Sequence, residues 1–179
     1  VIEDCAQAHG AFSKGESAGS IGHIGAWSFC QDKIMTTGGE GGMVTTNDEN
    51  LWKKMWSYKD HGKNFDSIYN KQHPPGFRWL HDSFGTNWRM MEMQAVIGRL
   101  QLQKMPEWTQ LRNTNMHRVL ASFENHPYFT VAKPPANYIH AAYKAYVQVN
   151  TAQLPEGWSR DRIMAKINAL GVPCFSGSC

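Results

Sequence analysis

SFCQDKIMTTGGEGG, residues 28–42, holds a single lysine between a predicted strand and a glycine-rich turn. A lysine becomes a nucleophile when its ammonium is partly desolvated, because the neutral amine can then form a Schiff base. Four glycines follow Lys33 within nine residues, and such a run lets the backbone approach a ligand closely or adopt positive φ. Lys33 is therefore a candidate catalytic residue, although a surface lysine beside a flexible hairpin would leave the same pattern.

The opening residues, VIEDCAQAHG, place Asp4 just past a predicted strand and Gln7 three residues later. Ligands gather beyond the carboxyl ends of strands in open α/β sheets, so a carboxylate here is placed to meet a cofactor. An aspartate in this position is suited to keep the ring nitrogen of pyridoxal phosphate protonated while Lys33 holds the aldehyde. The other interpretation is that Asp4 caps a turn and that Gln7 lies on the surface.

Local patterns predict the elements of the first half of the chain. Short apolar runs bounded by glycine predict strands within the first 46 residues, in a sheet covered on both faces. Asp48 is a good N-cap for a helix that ends near Gly62. Residues 63–87 have no sustained period, which predicts a long loop.

The second half reads as helices followed by a smaller unit. Apolar spacing from Met90 predicts a helix that breaks at Pro106, with a second helix over 107–125. After a proline-rich linker, the alternating residues 143–150 predict a strand, and Ser159 opens another helix. This strand and helix indicate the start of a second, smaller α+β unit.

Composition excludes several classes of protein. A chain of 179 residues fits roughly one domain, and its 41% hydrophobic and 18% charged residues exclude a disordered or coiled-coil chain. The net charge is +3 without a run of Lys or Arg, so nucleic acid is not an expected partner. No stretch approaches 18 apolar residues and the start lacks signal-peptide features, so neither a membrane nor export is expected.

The cysteines and the first residue complete these expectations. Cys5, Cys30, Cys174 and Cys179 do not form a dense disulfide framework, which predicts reduced thiols and a cytoplasmic location. The sequence lacks CxxC, HxxxH and HExxH spacings, so no metal site is predicted. Because the chain opens on Val1 and directly on a predicted strand, we expect it to be an internal piece of a longer polypeptide.

A strand-end aspartate and a lysine 29 residues later, before a glycine-rich loop, resemble the DegT/DnrJ/EryC1/StrS sugar aminotransferases. The matching segments keep the family's order: VIEDCAQAHGA, GSIGHIGAWSFCQDKIMTTGGEGGMVTTND, HDSFGTNWRMMEMQAVIGRLQL and, less strongly, GVPCFSGSC. The resemblance implies an α/β fold that is part of a fold-type-I pyridoxal-phosphate transferase, with a mixed, mostly parallel sheet. Residues 1–126 would be the C-terminal half of the large, cofactor-binding domain, and residues 127–179 the beginning of a small α+β domain.

Site residues follow from the same resemblance. It implies that Lys33 forms the Schiff base with pyridoxal 5'-phosphate and later moves a proton between substrate and cofactor. Asp4 would pair with the pyridine nitrogen, and Gln7 would bond the ring hydroxyl or pack on the ring. Ser28 would bind the phosphate. Asn87 would reach the phosphate of the neighbouring subunit's cofactor, which implies a homodimer with shared active sites.

The implied reaction is transfer of an amino group from an amino-acid donor, glutamate, to a nucleotide-linked keto sugar. Family members with histidine in place of the lysine are dehydratase-like, so Lys33 favours amino transfer. A pyridoxal-phosphate-dependent dehydratase and a non-catalytic regulatory member of the fold remain the alternatives. His9 and His81 lie near matched motifs and are assigned no chemistry. The family's N-terminal half and the end of its small domain have no counterpart in this chain, which therefore holds roughly half of a site.

Overall fold

The structure is a computed structural model that describes residues 1–76 and 80–177. The described residues divide into two compact units: a first unit of residues 1–113 and 135–143, and a second unit of residues 114–134 and from residue 144 onward. The expected boundary between residues 126 and 127 refers to the domains of the whole protein and stays a prediction.

In the described part of the chain, five strands are followed by three helices, then by three more strands and a last helix. The strands are β1 (Ile2–Asp4), β2 (Phe12–Ser13), β3 (Glu16–Ser17), β4 (Ile24–Ser28), β5 (Gly42–Thr45), β6 (Phe129–Val131), β7 (Tyr138–Ile139) and β8 (Val147–Val149). The helices are α1 (Glu49–Lys59), α2 (Phe65–Tyr69), α3 (Glu92–Ala121) and α4 (Arg160–Ala169), with a 3-10 turn at Thr151–Gln153.

The sheet of the first unit that carries the candidate site is mixed, as predicted. β4 lies in its centre, parallel to β1 and antiparallel to β5. A second sheet has the order β3-β2-β7, and in the second unit β6 pairs with β8. The expectation that the strands are covered on both faces is wrong for the two edge strands. Ile2 in β1 is 72% exposed and Met43 in β5 is 51% exposed.

Local capping signals predict two helices correctly. The Asp48 side chain accepts hydrogen bonds from the N–H groups of Asn50 and Leu51, which satisfies free donors in the first turn of α1. Ser159 caps α4 in the same way through the N–H of Arg162. In contrast, the strand predicted over 143–150 is shorter, because only Val147–Val149 pairs with a neighbour.

Two other predictions are wrong. The segment 63–87 is not a loop throughout, since Asn64 caps the short helix α2. Pro106 does not end a helix, because α3 continues through it. A proline inside a helix loses one hydrogen bond and costs about 3 kcal/mol. Met105, the residue before Pro106, is buried in the core, and this packing helps to offset that cost.

A buried apolar cluster supports the candidate site. It consists of Phe29, Ile34, Met35, Met105 and Ala141, with Trp27, Met90, Trp108 and Tyr143 packed against it. Three of its five buried members lie in the glycine-rich segment that also contains Lys33, so the core of the first unit is built around that segment.

Three of the four cysteines lie within the described residues. Cys5, Cys30 and Cys174 are free thiols, and Cys179 lies outside the described residues. Within residues 1–76 and 80–177, no three His, Cys, Asp or Glu side chains are grouped to hold a metal ion. None of the helices in this part of the chain combines the length and hydrophobicity that crossing a bilayer requires.

Candidate active site

Asp4 and Ser28 lie on one face of the sheet, at the carboxyl ends of β1 and β4. Asp4 stands opposite Ala26 in the parallel register, and Ser28 follows two residues later, so strand alternation gives their side chains the same face. Asp4 Oδ1 accepts a hydrogen bond from the N–H of Ala6 at 3.0 Å. Asp4 therefore does cap a turn, but a carboxylate offers about four acceptor sites, so one bond leaves most of its capacity unused.

Ser28 and Gln7 lie beside this edge of the sheet. Ser28 Oγ accepts a hydrogen bond from the N–H of Cys30 at 3.3 Å. A hydroxyl also has one proton to donate, so this contact leaves Ser28 able to donate to an anion. Gln7 is half-buried in the turn that follows β1.

Lys33 lies in a closed loop of residues 29–41, called here the Lys33 loop. The N–H of Phe29 donates to the carbonyl of Gly41 at 2.8 Å, which joins the two ends of the loop. Thr36 Oγ1 donates to the Phe29 carbonyl at 3.0 Å, so the loop is also bonded across its middle. These bonds hold the backbone on both sides of Lys33.

Buried side chains anchor the Lys33 loop to the core. Ile34 and Met35, the two residues after Lys33, are 4% and 7% exposed. Gly38 and Gly39 have φ values of +80° and +133°, where side chains are disfavoured, so the turn that follows requires glycine. The glycine run thus shapes a fixed loop rather than a flexible hairpin.

Helix α3 supports the same loop through two glutamines. Gln101 Oε1 accepts from the N–H of Thr36 at 2.9 Å. Gln94 Nε2 donates to the carbonyl of Glu40 at 2.7 Å, and the buried Thr37 hydroxyl donates to that same carbonyl at 3.1 Å. The loop is therefore held by the sheet at its ends and by α3 along its length.

Asp32 and Tyr143 surround the Lys33 amine. Its Nζ lies 3.9 Å from Asp32 Oδ1 and 5.2 Å from the centre of the Tyr143 ring, and its side chain is 13% exposed. The Tyr143 hydroxyl donates to Asp32 Oδ2 at 2.9 Å. This hydrogen bond is the main reason that the pKa of Asp32 lies below its usual value. Lys33 is thus enclosed by a carboxylate and an aromatic face.

His9 is a buried polar residue beside this loop. Its ring lies 5.2 Å from that of Trp27, and neither ring nitrogen makes a hydrogen bond of normal geometry with a described residue. Burial lowers the pKa of His9, and the charges of Lys33 and Arg112 act in the same direction, while the Ser28 backbone opposes the shift. His9 is therefore favoured as neutral imidazole, and we assign it no chemistry.

Asn87 belongs to a different loop, residues 83–89, called here the Asn87 loop. It forms a short antiparallel bridge with Asp60, in the segment 58–61 at the end of α1. The N–H groups of the residues before and after Asn87 donate to carbonyls of that segment at 2.7 and 2.9 Å. The hydrogen bonds of this loop thus run to α1, whereas those of the Lys33 loop run to β4 and α3.

Three basic side chains surround the buried Asp60 carboxylate next to the Asn87 loop. Asp60 is 7% exposed, and its Oδ1 is 2.7 Å from Arg89 Nη1 and 3.1 Å from Lys63 Nζ. Lys59 Nζ lies 3.9 Å from Oδ2. Burial raises the pKa of Asp60, but the Lys63 hydrogen bond and the charges of Lys63, Arg89 and Lys59 outweigh it, so the pKa lies below its usual value.

Sequence reasoning did not find Asp32, Tyr143 or Asp60. Asp32 adjoins Lys33 in the chain, and a carboxylate next to a candidate nucleophile was a usable signal. Tyr143 lies 111 residues from Asp32, and Asp60 lies 29 residues from Arg89, so only the fold reveals these contacts.

Comparison with known proteins agrees with the motifs. The family model described as the DegT/DnrJ/EryC1/StrS aminotransferase family matches residues 1–175. A protein of Caulobacter vibrioides named GDP-perosamine synthase is 34% identical over 177 residues, which cover 96% of this chain and 43% of the relative. A protein of Acidithiobacillus ferrooxidans named UDP-N-acetyl-3-dehydro-alpha-D-glucosamine 3-aminotransferase is 32% identical over 175 residues, covering 96% of this chain and 41% of the relative.

A solved structure extends the comparison to three dimensions. The crystal structure of the aminotransferase from Psychrobacter cryohalolentis superposes with a TM-score of 0.94 and 64% sequence identity, covering 99% of this chain and 47% of that one. The chain thus spans less than half the length of the relatives that it matches. With a family model matched along nearly all of its residues, the chain belongs to the DegT/DnrJ/EryC1/StrS aminotransferase family.

Proposed function

We propose that the whole protein is a pyridoxal-phosphate-dependent aminotransferase that moves an amino group from an amino-acid donor, glutamate, to a nucleotide-linked keto sugar. The observation that carries this proposal is the fixed Lys33 loop at the carboxyl end of β4, where Asp4 and Ser28 share one face of the sheet. The names of two relatives, which refer to GDP-linked and UDP-linked sugars, support the substrate class.

The residues present are suited to this cofactor. When bound, pyridoxal 5'-phosphate supplies an aldehyde that takes up the donor's amino group and a ring that takes up the electron pair released at the donor's α-carbon. Asp4 has acceptor capacity left beside its turn-capping bond, which suits a protonated ring nitrogen. Ser28 has its hydroxyl proton left to donate to a phosphate oxygen.

Lys33 has two tasks in this proposal. Its Nζ would hold the cofactor through the aldehyde, and its neutral amine would take the α-proton of the donor and return it to the cofactor carbon. Burial of Ile34 and Met35 limits the backbone movement that would misplace Nζ. Asp4 would keep the ring nitrogen protonated, and Gln7 would bond the ring hydroxyl or pack on the ring.

Asn87 acts, in this proposal, in the active site of the neighbouring subunit. We place its amide on the phosphate of the cofactor held by the neighbouring subunit, in a homodimer with two shared sites. The Asn87 loop is bonded to the end of α1 and is separate from the Lys33 loop. This position is compatible with a contact between Asn87 and another subunit.

Two further statements belong to the same proposal. Residues 1–126 form the C-terminal half of the cofactor-binding domain, and residues 127–179 begin the small domain. The protein works in the cytoplasm, which is compatible with the free thiols of Cys5, Cys30 and Cys174.

Borohydride trapping tests the role of Lys33. Borohydride makes a lysine–cofactor linkage permanent, so treatment of the full-length parent protein with cofactor should add pyridoxyl mass to the peptide that contains Lys33. Labelling of Lys14, Lys53 or Lys54 instead would contradict the assignment. A parallel assay follows isotope-labelled nitrogen from glutamate into the sugar, because a dehydratase would release product without that label.

Mixing two inactive variants tests the shared site. Lys33→Ala and Asn87→Ala, each nearly inactive alone, should together form heterodimers in which one site carries both lesions and the other carries none. Statistical mixing makes about half of the dimers heterodimers, so roughly a quarter of wild-type activity should return. No recovery after confirmed subunit exchange would remove Asn87 from the neighbour's site.

A further inference from the structure

The backbone of the Asn87 loop is fixed directly opposite Asp60. Hydrogen bonds to the segment 58–61 lie on both sides of the bridge between Asn87 and Asp60. A Cβ on Gly85 would lie 2.1 Å from the backbone nitrogen of Gly62, so the two segments approach closer than any side chain allows. A shift of the Asp60 backbone therefore moves Asn87 with it.

The Asp60 side chain fixes the same loop a second time. Its carboxylate oxygen Oδ1 binds Arg89, two residues after Asn87, at 2.7 Å, and the same oxygen binds Lys63 at 3.1 Å. Charge-assisted bonds to a buried carboxylate are stronger than bonds between neutral groups. The exposed Asn87 loop is thus tied to a residue that is 7% exposed, although the loop contributes little apolar burial of its own.

The Asn87 amide is held ready to donate. Asn87 Oδ1 faces the N–H of Arg89 at 3.5 Å, so the oxygen end of the amide is directed toward its own loop. Nδ2 is then the end available to an anion, and its position depends on where Arg89 is held.

We propose that Asp60 is a positioning residue: by binding Arg89 and Lys63 it sets Asn87 in place to bind the phosphate of the cofactor in the neighbouring subunit. This inference rests on the proposed function. It also assigns Arg89 and Lys63 to the support of the loop, with their charges already engaged by Asp60 rather than directed at the phosphate.

The test measures how strongly the full-length dimer prefers pyridoxal 5'-phosphate to pyridoxal, which lacks the phosphate. The two dissociation constants are determined by absorbance for the wild type, Asn87→Ala and Asp60→Asn. One hydrogen bond to a charged group corresponds to about tenfold, so both variants should lower the preference by about that factor. Asp82→Asn is the matched control, because Asp82 is an exposed carboxylate before the same loop and binds Asn64 instead.

The outcomes separate the inference from the proposed function. If the wild type does not prefer the phosphorylated cofactor, the proposed function and this inference both fail. If Asn87→Ala lowers the preference and Asp60→Asn does not, only the inference is overturned. A stronger preference in Asp60→Asn would also overturn it, because Arg89 and Lys63 would then be phosphate ligands that Asp60 restrains.

A trans-complementation measurement excludes a merely structural role. At a cofactor concentration that loads the wild type but leaves Asp60→Asn and Asn87→Ala largely empty, Asp60→Asn mixed with Lys33→Ala should recover up to roughly a quarter of wild-type activity, whereas Asp60→Asn mixed with Asn87→Ala should show no gain over the separate variants. A general loss of folding would not follow this pairing rule. If Asp60→Asn yields no folded dimer, Arg89→Met removes the same contact from its 45% exposed side and should reproduce both results. A wild-type preference in that variant would overturn the inference.

Discussion

The Lys33 loop and the Asn87 loop carry candidate residues for one active site, but they are held in place by different forces. Phe29, Ile34 and Met35 of the Lys33 loop are 3%, 4% and 7% exposed. In the Asn87 loop, Phe84 is 99% exposed and Trp88 is 68% exposed. Apolar burial therefore fixes the first loop, whereas backbone pairing and the Asp60 ion cluster fix the second.

This difference follows the roles proposed for the two loops, proton transfer for one and contact with the neighbouring subunit for the other. The residue proposed to move protons lies on the loop that the core of its own subunit makes rigid. The residue proposed to serve a neighbour lies on a loop held by charge, and interactions between charges are more sensitive to salt and pH than apolar packing is. Four predictions test the comparison, in order of decreasing effect.

Lys33→Arg should give the largest effect on activity and almost none on the loop. Arginine keeps the positive charge near Asp32 and Tyr143, but its guanidinium cannot be deprotonated in a protein and cannot move the proton. The rate of amino transfer should fall by at least ~10³-fold. The free energy of unfolding should stay within about 1 kcal/mol of the wild type.

Lys53→Arg provides the control, because Lys53 pairs with Glu49 and Asp66 away from the Lys33 loop. It should retain activity. A large loss of stability in Lys33→Arg, with activity falling in proportion, would mean that Lys33 supports the loop rather than the reaction.

Removing apolar atoms should affect the two loops unequally. Met35→Ala deletes a side chain that is 7% exposed, and such deletions cost about 2–5 kcal/mol. Phe84→Ala deletes a larger side chain that is 99% exposed within its own chain, so the cost to the stability of that subunit should be within about 0.5 kcal/mol. Urea denaturation of the full-length protein measures both, and equal losses would refute the division between a packed loop and a charge-held loop.

Features that depend on neighbouring residues could be predicted from the sequence. Asp48 and Ser159 predicted α1 and α4 because an N-cap bonds to N–H groups only two or three residues away. Lys33 and the glycine run were also visible, because a turn is encoded by adjacent residues. Pro106 misled the prediction because Met105 packs in a core whose other members lie far away in the chain.

Contacts distant in sequence were beyond prediction. The Tyr143–Asp32 bond and the Asp60–Arg89 pair each depend on how two separated segments meet, and no local pattern records that. The placement of Asp4 and Ser28 on one face was predictable only in outline, because it requires the parallel register of β1 and β4.

Acid should loosen the two loops in different pH ranges. Burial lowers the pKa of His9 from its usual 6.5, so the stability that neutral His9 contributes near the Lys33 loop is complete above pH 6.5 and is lost as the pH falls through the lowered value. The pKa of Asp60 is lowered from 3.8, so its contribution to the Asn87 loop persists to a more acidic range. Hydrogen-exchange protection factors, which correct for the pH dependence of intrinsic exchange, should therefore fall in residues 29–41 at a higher pH than in residues 83–89.

His9→Phe removes the first titration and retains an aromatic ring beside Trp27. In this variant, the exchange protection of the Lys33 loop should no longer fall as the pH drops below 6.5. An unchanged response would assign the effect to another group.

Tyr143→Phe should give the smallest effect and shows how finely the Lys33 loop is adjusted. The variant keeps the ring beside Lys33 Nζ and removes only the hydroxyl that donates to Asp32 at 2.9 Å. Asp32 is largely exposed, so water can replace that bond, and the free energy of unfolding should change little. Without the hydroxyl, Asp32 loses the contact that fixes its carboxylate beside Lys33, so the proton-transfer rate should fall by about two- to fivefold. Tyr146→Phe, a change in the second unit, is the control and should leave that rate unchanged. Equal rates in the wild type and Tyr143→Phe would show that backbone anchoring alone positions Lys33.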